Sequence, residues 1–120
     1  MKRFEIEVID PKAEQAALLA WAARVDAGAT QRSAAPKLHF ASYRQLHATL
    51  TEKRMALLEH LAANEAASIR QLAVALARDY RNVYDDVQRL AQLGLIDIKP
   101  GRLHVPYDGI DIRKNLREAA

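Results

Sequence analysis

The stretch that most constrains the fold is "SIRQLAVALARDYRNVYDDVQRLAQLGLIDIKPGRLHVPY", residues 68–107. Ser68 and Asp79 are helix-capping residue types, and each precedes apolar residues at helical spacing. Gly94 suits the end of the second helix, and the Pro-Gly of "KPG" predicts a turn between two strands. The stretch is therefore predicted to form two short helices followed by a β-hairpin.

A third capped helix precedes this stretch, because Thr51 stands before "EKRMALLEHLAAN". Three helices followed by a hairpin is the element order of a winged helix-turn-helix, whose third helix lies in the DNA major groove. Ser42 can cap a further short helix from Tyr43 to about Leu50. We expect a mainly α fold with a small β wing, with residues 38–120 as the winged helix-turn-helix domain and a C-terminal tail.

Residues 1–37 are expected to form an N-terminal strand–helix arm with a linker, used for dimerisation or partner binding. Phe4, Ile6 and Val8 alternate with charged residues, as in a half-buried strand, and a helix follows from Pro11 to about Ala27. The strand could join the wing sheet, pair with its twin across a two-fold axis, or receive a partner's strand. The residues predicted to contact a dimer or another partner are Phe4, Ile6, Val8, Leu18, Trp21 and Val25. The C-terminal "IDIRKNLREAA" is either a docking arm or a frayed tail.

The third helix carries the residues that would read bases. Val83, Val87 and Leu90 fix its inward side, so the polar residues of its first turns point outward. Arg81 can donate two hydrogen bonds to guanine, and Asn82 can pair with adenine. Asp85 could accept from cytosine or orient Arg81, four residues earlier.

Other residues around this helix are candidates for phosphate contacts. They include the cap Ser68, the arginines of the helices, and the two cations that flank the hairpin turn. The full set of predicted DNA-binding residues is Ser68, Arg70, Arg78, Tyr80, Arg81, Asn82, Tyr84, Asp85, Gln88, Arg89, Lys99 and Arg102. Taken singly, each of these residues is more plainly interpreted as part of a solvated surface. The prediction of DNA binding therefore depends on the whole set.

Net charge gives little support to DNA binding. The chain carries +3, and division after Leu50 gives 7 basic against 5 acidic residues before it and 11 against 10 after it. Twelve of the eighteen basic residues are Arg, which forms bidentate contacts with phosphate or guanine better than Lys does. If DNA is the partner, the placement of these charges matters more than their sum.

Enzyme and metal chemistry have no candidate motif. The chain has no Cys, and its four His residues, His39, His47, His60 and His104, lack a common ligand spacing. The neighbouring Asp residues come with no nucleophile or base, and no phosphate-binding glycine loop appears. We therefore expect no enzyme, no cofactor and no metal. With no signal peptide and no run of about 20 apolar residues, a cytoplasmic prokaryotic protein without membrane contact is expected.

Residues 40–112 resemble winged-helix regulators of the MarR-like kind, and in particular the TumA-type antitoxins, DNA-binding proteins of toxin–antitoxin operons. The elements that carry the resemblance are "FAS", "LTEKRMALLEHL", "SIRQLA", "RDYRNVYDDVQRL", "LGLI" and "VPYDGI". The resemblance implies a homodimer that represses its own operon at a palindromic DNA operator and neutralises a small cognate toxin. It implies that residues 78–83 form the family's signature and that Arg81, Asn82 and Tyr84 lie on the reading surface.

Two positions depart from that family. Ala77 stands where the family often has Gly, and a left-handed residue there would be strained by about 1–2 kcal/mol, so a turn of another shape is expected. Asp85 stands where a basic residue often occurs. Two alternatives to the antitoxin stay open: a stand-alone MarR-like transcription factor that responds to a small ligand, and a winged helix that only binds other proteins.

Overall fold

The computed structural model of the chain describes residues 2–9 and 37–117, which form a mixed α/β structure. The chain divides into two compact units, each assembled from separate segments: residues 1–3 with 50–109, and residues 4–49 with 110–120.

Nine elements lie within the described ranges. The strands are β1 (Arg3–Val8), β2 (Lys37–Phe40), β3 (Asp97–Lys99), β4 (Arg102–His104) and β5 (Gly109–Lys114). The helices are α1 (Tyr43–Thr49), α2 (Glu52–Ala63), α3 (Ile69–Leu76) and α4 (Tyr80–Gln92). No helix of these ranges is long and apolar enough to cross a membrane.

Side-chain caps start the helices where the sequence predicts them. The hydroxyls of Ser42, Thr51 and Ser68 accept hydrogen bonds from the backbone N–H three residues later, at 3.1, 3.2 and 3.1 Å. The carboxylate of Asp79 accepts in the same way from the N–H of Asn82, at 3.4 Å. Each cap satisfies an amide that would otherwise lack a partner in the first helical turn, so these four starts are confirmed.

The ends of α3 and α4 share one geometry. In α4, Gly94 adopts φ 87° and the N–H of Leu95 donates to the carbonyl of Leu90. In α3, Ala77 takes the corresponding role with φ 53° and ψ 45°, and the N–H of Arg78 donates to the carbonyl of Ala73. The expectation of a different turn shape at Ala77 is therefore wrong, and the chain holds a β-carbon in the left-handed region that favours glycine.

The hairpin predicted around "KPG" is present. Strands β3 and β4 pair antiparallel, with Asp97 opposite His104 and Lys99 opposite Arg102. Gly101 has φ 72°, a conformation that a glycine adopts without steric cost at such a turn. Ala66, between α2 and α3, exchanges two backbone hydrogen bonds with Leu103 and so extends this small sheet.

A second sheet, which the sequence analysis did not predict, has the strand order β2-β1-β5. Strands β1 and β2 run parallel, from Glu5 opposite Lys37 to Val8 opposite Phe40. None of the three expected pairings of β1 occurs, because its neighbours come from its own chain and outside the hairpin. The C-terminal "IDIRK" forms most of β5, so this part of the segment is not a frayed tail.

Phe4, Ile6 and Val8, expected at a dimer or partner interface, are buried within the chain. Their alternation predicted a half-buried strand correctly, but the buried face is part of the core and is not a free surface. The other expected interface residues, Leu18, Trp21 and Val25, and the helix that carries them lie outside the described residues. In the other unit, the core includes Leu57, Leu61, Leu72, Val83, Val87, Leu90 and Leu95.

Candidate nucleic-acid interface

Helix α4 has one fully buried side and one exposed side. Val83, Val87 and Leu90 have no exposed surface, which fixes the rotation of the helix about its axis. The residues exposed on the other side are Tyr80, Arg81, Asn82, Tyr84, Asp85 and Arg89, while Gln88 is half-buried. Most of the exposed residues lie in the first two turns, so one end of α4 presents amide, guanidinium, phenol and carboxylate groups together.

Helix α3 adds a cation to the start of this surface. The guanidinium carbon of Arg70 lies 5.5 Å from the ring centroid of Tyr80, within the range of a cation–π interaction. The ring of Tyr80 is in turn 6.2 Å from that of Tyr84, tilted by 36°. Arg70, Tyr80 and Tyr84 are exposed, and they form a continuous patch across two helices.

Arg81 and Asp85 face each other across one helical turn. The Arg81 Nε and an Asp85 carboxylate oxygen are 3.7 Å apart, and the side chains are 80% and 60% exposed. An ion pair so exposed is worth little in water, so Arg81 can leave it to donate to a base or phosphate. This geometry accommodates both roles predicted for Asp85, a hydrogen-bond acceptor and a carboxylate that orients Arg81.

Arg78 lies away from the exposed surface of α4. Its Nη2 donates to Asp86 at 2.8 Å, and the Nε of Arg54 in α2 donates to the other oxygen of that carboxylate at 3.0 Å. All three side chains are at least three-quarters buried, and the Nη1 of Arg78 is buried without a hydrogen-bond partner. The structure thus gives Arg78 a structural role, joining α2, the turn and α4, and we omit it from the proposed surface.

Sequence reasoning missed Asp86 and Arg54 as members of this network. The available signal was the position of Asp86, next to the inward-facing Val87 and three residues after Val83. A carboxylate on the inner flank of a helix needs a cationic partner to offset its desolvation.

Ser68 serves mainly as a cap. Its hydroxyl oxygen accepts from the Gln71 N–H, and the Gln71 side chain accepts from the Ala67 N–H at 2.7 Å. The hydroxyl hydrogen of Ser68 still has donor capacity for a phosphate. A second copy of this motif stands at the start of α1, where residues 41–46 read "ASYRQL" against "ASIRQL" at residues 67–72, and the same two hydrogen bonds recur at Ser42.

The hairpin presents less free charge than its sequence indicates. Lys99 is exposed, but the Arg102 guanidinium donates to both carboxylate oxygens of Glu65, at 3.1 and 2.8 Å. These hydrogen bonds hold the pKa of Glu65 below its usual value and raise the pKa of Arg102. Arg102 can therefore contact DNA only if it shares or gives up Glu65.

The remaining features of this unit are the contacts of His104, the placement of metal-ligand residue types and the net charge. His104 lies with its Nε2 3.6 Å from Asp97, and its buried Nδ1 has no hydrogen-bond partner. Within residues 2–9 and 37–117, no group of three His, Asp or Glu side chains is placed to hold a metal ion. Residues 50–109 contain eight Lys or Arg and eight Asp or Glu, so this segment has no net positive charge with which to attract a polyanion.

Comparison with known proteins places part of the chain in a family. The model of a protein family described as HVO_A0114 matches residues 49–112, more than half of the chain and nearly the same segment as the unit that contains α2 to α4. No curated protein and no solved structure gives a significant match.

Proposed function

This chain belongs to the HVO_A0114 family, and we propose that it is a sequence-specific DNA-binding transcriptional regulator that binds its operator as a homodimer. In this proposal residues 50–109 are a winged helix-turn-helix. Helices α3 and α4 form the helix-turn-helix, α4 is the recognition helix, and the β3–β4 hairpin is the wing.

The observation that carries the proposal is the exposed end of α4. Three apolar residues anchor one side of the helix completely, while Arg81, Asn82 and Tyr84 are exposed on its first two turns. This is the part of a recognition helix that reaches base edges in the major groove. Arginine and asparagine are also the side chains suited to bidentate contacts with guanine and adenine.

The charges of the structure predict how strongly DNA binding should depend on salt. With Arg78 bound to Asp86 and Arg102 bound to Glu65, the exposed cations suited to phosphate contacts are Arg70, Arg89 and Lys99. Three contacts in each protomer would give a slope of log K against log salt of about −3 for one protomer and about −6 for the bound homodimer. A regulator of this kind relies on base contacts more than on its net charge.

The test is fluorescence anisotropy with the DNA upstream of its own gene and with a scrambled duplex, at several salt concentrations. A preference of about 10³ or more for the upstream DNA supports an operator-reading regulator. Equal affinity for both duplexes, or no binding to either, would refute the proposal.

The repeated capping motif supplies a matched control for this experiment. Arg70 and Arg44 occupy the same position in "ASIRQL" and "ASYRQL", and both are exposed. Arg70→Ala should weaken binding to both duplexes and reduce the salt slope by about 1 for each protomer, or about 2 for the bound homodimer. Arg44→Ala makes the same chemical change at the start of α1 and should leave binding unchanged.

The resemblance to TumA-type antitoxins supports a narrower proposal, that the regulator represses its own operon and neutralises a cognate toxin. The test is co-expression of the chain with the product of a small neighbouring gene, followed by co-purification and a growth assay. A neighbouring product that is harmless alone and does not co-purify would remove the antitoxin role and leave the stand-alone transcription factor.

The exposed aromatic patch favours a second candidate function from another class, a winged helix that binds only proteins. Tyr80 and Tyr84 are 45% and 39% exposed, and Val74 of α3 is 76% exposed. Aromatic residues are common at the centres of protein interfaces. Absence of DNA binding, together with a partner captured by wild-type protein but not by Tyr84→Ala, would favour this candidate.

A further inference from the structure

Among the described residues, no strand pairs with the outer edge of β5. In the sheet order β2-β1-β5, this six-residue strand has a neighbour on one side only. Its last four residues, 111–114, are exposed, and Ile112 is 53% exposed. An edge strand presents unpaired N–H and C=O groups, and these can pair with a further strand.

We propose that this edge pairs antiparallel with β5 of a second copy of the chain, joining two three-stranded sheets into one of six strands. The inference specifies the interface of the homodimer that the proposed function requires. It rests on the strand itself and involves no DNA.

Two-fold symmetry restricts the register of such a pair. Along an antiparallel ladder, hydrogen-bonded and non-hydrogen-bonded residue pairs alternate. If no residue lay opposite its own copy, the axis would relate two neighbouring residue pairs, one hydrogen-bonded and the other not. Pairs related by a two-fold axis must be identical, so this register is forbidden. One residue of β5 must therefore lie opposite itself.

Charge selects that residue. A register centred on Asp111, Arg113 or Lys114 places two like charges directly opposite each other, which is destabilising. A register centred on Gly109 or Ile110 pairs only a short part of the strand. Centring on Ile112 places the exposed isoleucine against its copy and sets Asp111 opposite Arg113 twice, once on each side of the axis.

Asp111 also takes part in an interaction within its own chain. This does not conflict with the dimer, because a carboxylate has about four lone-pair sites and can accept from more than one donor. Pairing of a single six-residue edge buries less than the roughly 1,000 Å² typical of stable interfaces. The dimer is therefore weak and forms in a concentration-dependent manner.

The test is analytical ultracentrifugation of the full chain without DNA, over an approximately hundredfold range of concentration. Wild-type protein should pass from monomer to dimer. Arg113→Asp places Asp opposite Asp111 of the other copy, and Asp111→Arg places Arg opposite Arg113, so each single variant should stay monomeric. The double variant, Asp111→Arg with Arg113→Asp, restores both opposite-charge pairs and should dimerise again.

Arg117→Asp is the matched control, because it makes the same charge change at an exposed residue beyond the end of β5, and its dimerisation should equal that of wild type. Circular dichroism would verify that each variant is folded. A wild-type chain that is monomeric throughout, or a dimer indifferent to both single changes, would overturn the interface. If both single variants lose dimerisation and the double variant does not recover it, the proposed register is wrong. Since no DNA is present, a dimer without operator binding would count against the proposed function alone.

Discussion

Asp86 lies between two guanidinium groups, and its replacement by alanine measures how much that network stabilises the helical unit. The change removes the 3.0 Å hydrogen bond from Arg54 and the 2.8 Å hydrogen bond from Arg78. A hydrogen bond to a charged group contributes about 1.5–3 kcal/mol. Both arginine side chains keep about a fifth of their surface in water, so the lower end of that range applies to each. We expect Asp86→Ala to lower the free energy of unfolding by about 3 kcal/mol.

Urea unfolding followed by circular dichroism measures this change, and thermal unfolding should show a decrease in Tm of roughly 10–20 °C. The adjacent Asp85 is the matched control, because its ion pair with Arg81 is largely exposed. Asp85→Ala should cost about 0.5 kcal/mol or less. A loss below about 1 kcal/mol for Asp86→Ala, or equal losses for the two variants, would refute the structural role of this network.

Three further predictions concern the turn, the hairpin and the reading surface. Ala77→Gly should raise stability by about 0.5–1 kcal/mol, because relief of about 1–2 kcal/mol of left-handed strain outweighs the added chain entropy of about 0.4–1 kcal/mol. Urea unfolding tests this, and the control Ala75→Gly, inside α3, should lower the free energy of unfolding by about 1 kcal/mol. A lower free energy of unfolding in both variants would show that Ala77 is not strained. Arg102→Gln should return the pKa of Glu65 toward its ordinary value of 4.5, as followed by an NMR pH titration. Because the pKa of Glu65 is lowered in the folded wild type, its contribution to stability is present above its ordinary pKa and is lost as pH falls through the folded pKa. A Glu65 titration that the variant leaves unchanged would show that Arg102 does not cause the shift. Arg81→Ala should cost about 1–3 kcal/mol on the cognate duplex and little on a scrambled one, and equal losses on the two would identify a phosphate contact.

The parts of the fold that could be predicted are those whose signals are local. Caps such as Thr51, Ser68 and Asp79 act on amides within the next three residues, and the Pro-Gly turn fixes the hairpin. The three-stranded sheet escaped prediction because its strands come from distant parts of the chain. Lys2, beside β1, and Asp108, beside β5, are hydrogen-bonded to each other across 106 positions.

The same distinction applies to the candidate site. Helical periodicity was sufficient to place Arg81 and Asn82 on the exposed side of α4. It could not place Arg78, whose role depends on Asp86 and on Arg54, a residue 32 positions from that carboxylate. Ion-pair partners this distant leave no periodic pattern, so a cation expected to contact phosphate is instead part of a partly buried network.

The division of the chain has a consequence for the order of folding. Residues 50–109 interrupt the unit made from residues 4–49 and 110–120, so during synthesis β1 emerges from the ribosome long before its neighbour β5. The helices and hairpin of the interrupting segment make mostly short-range contacts, which form quickly, whereas the sheet waits for residue 114. Translation that stopped before Gly109 would leave β1 without that neighbour, as an apolar strand edge prone to aggregation. Completion of β5 is therefore a late step in the folding of the unit that contains the three-stranded sheet.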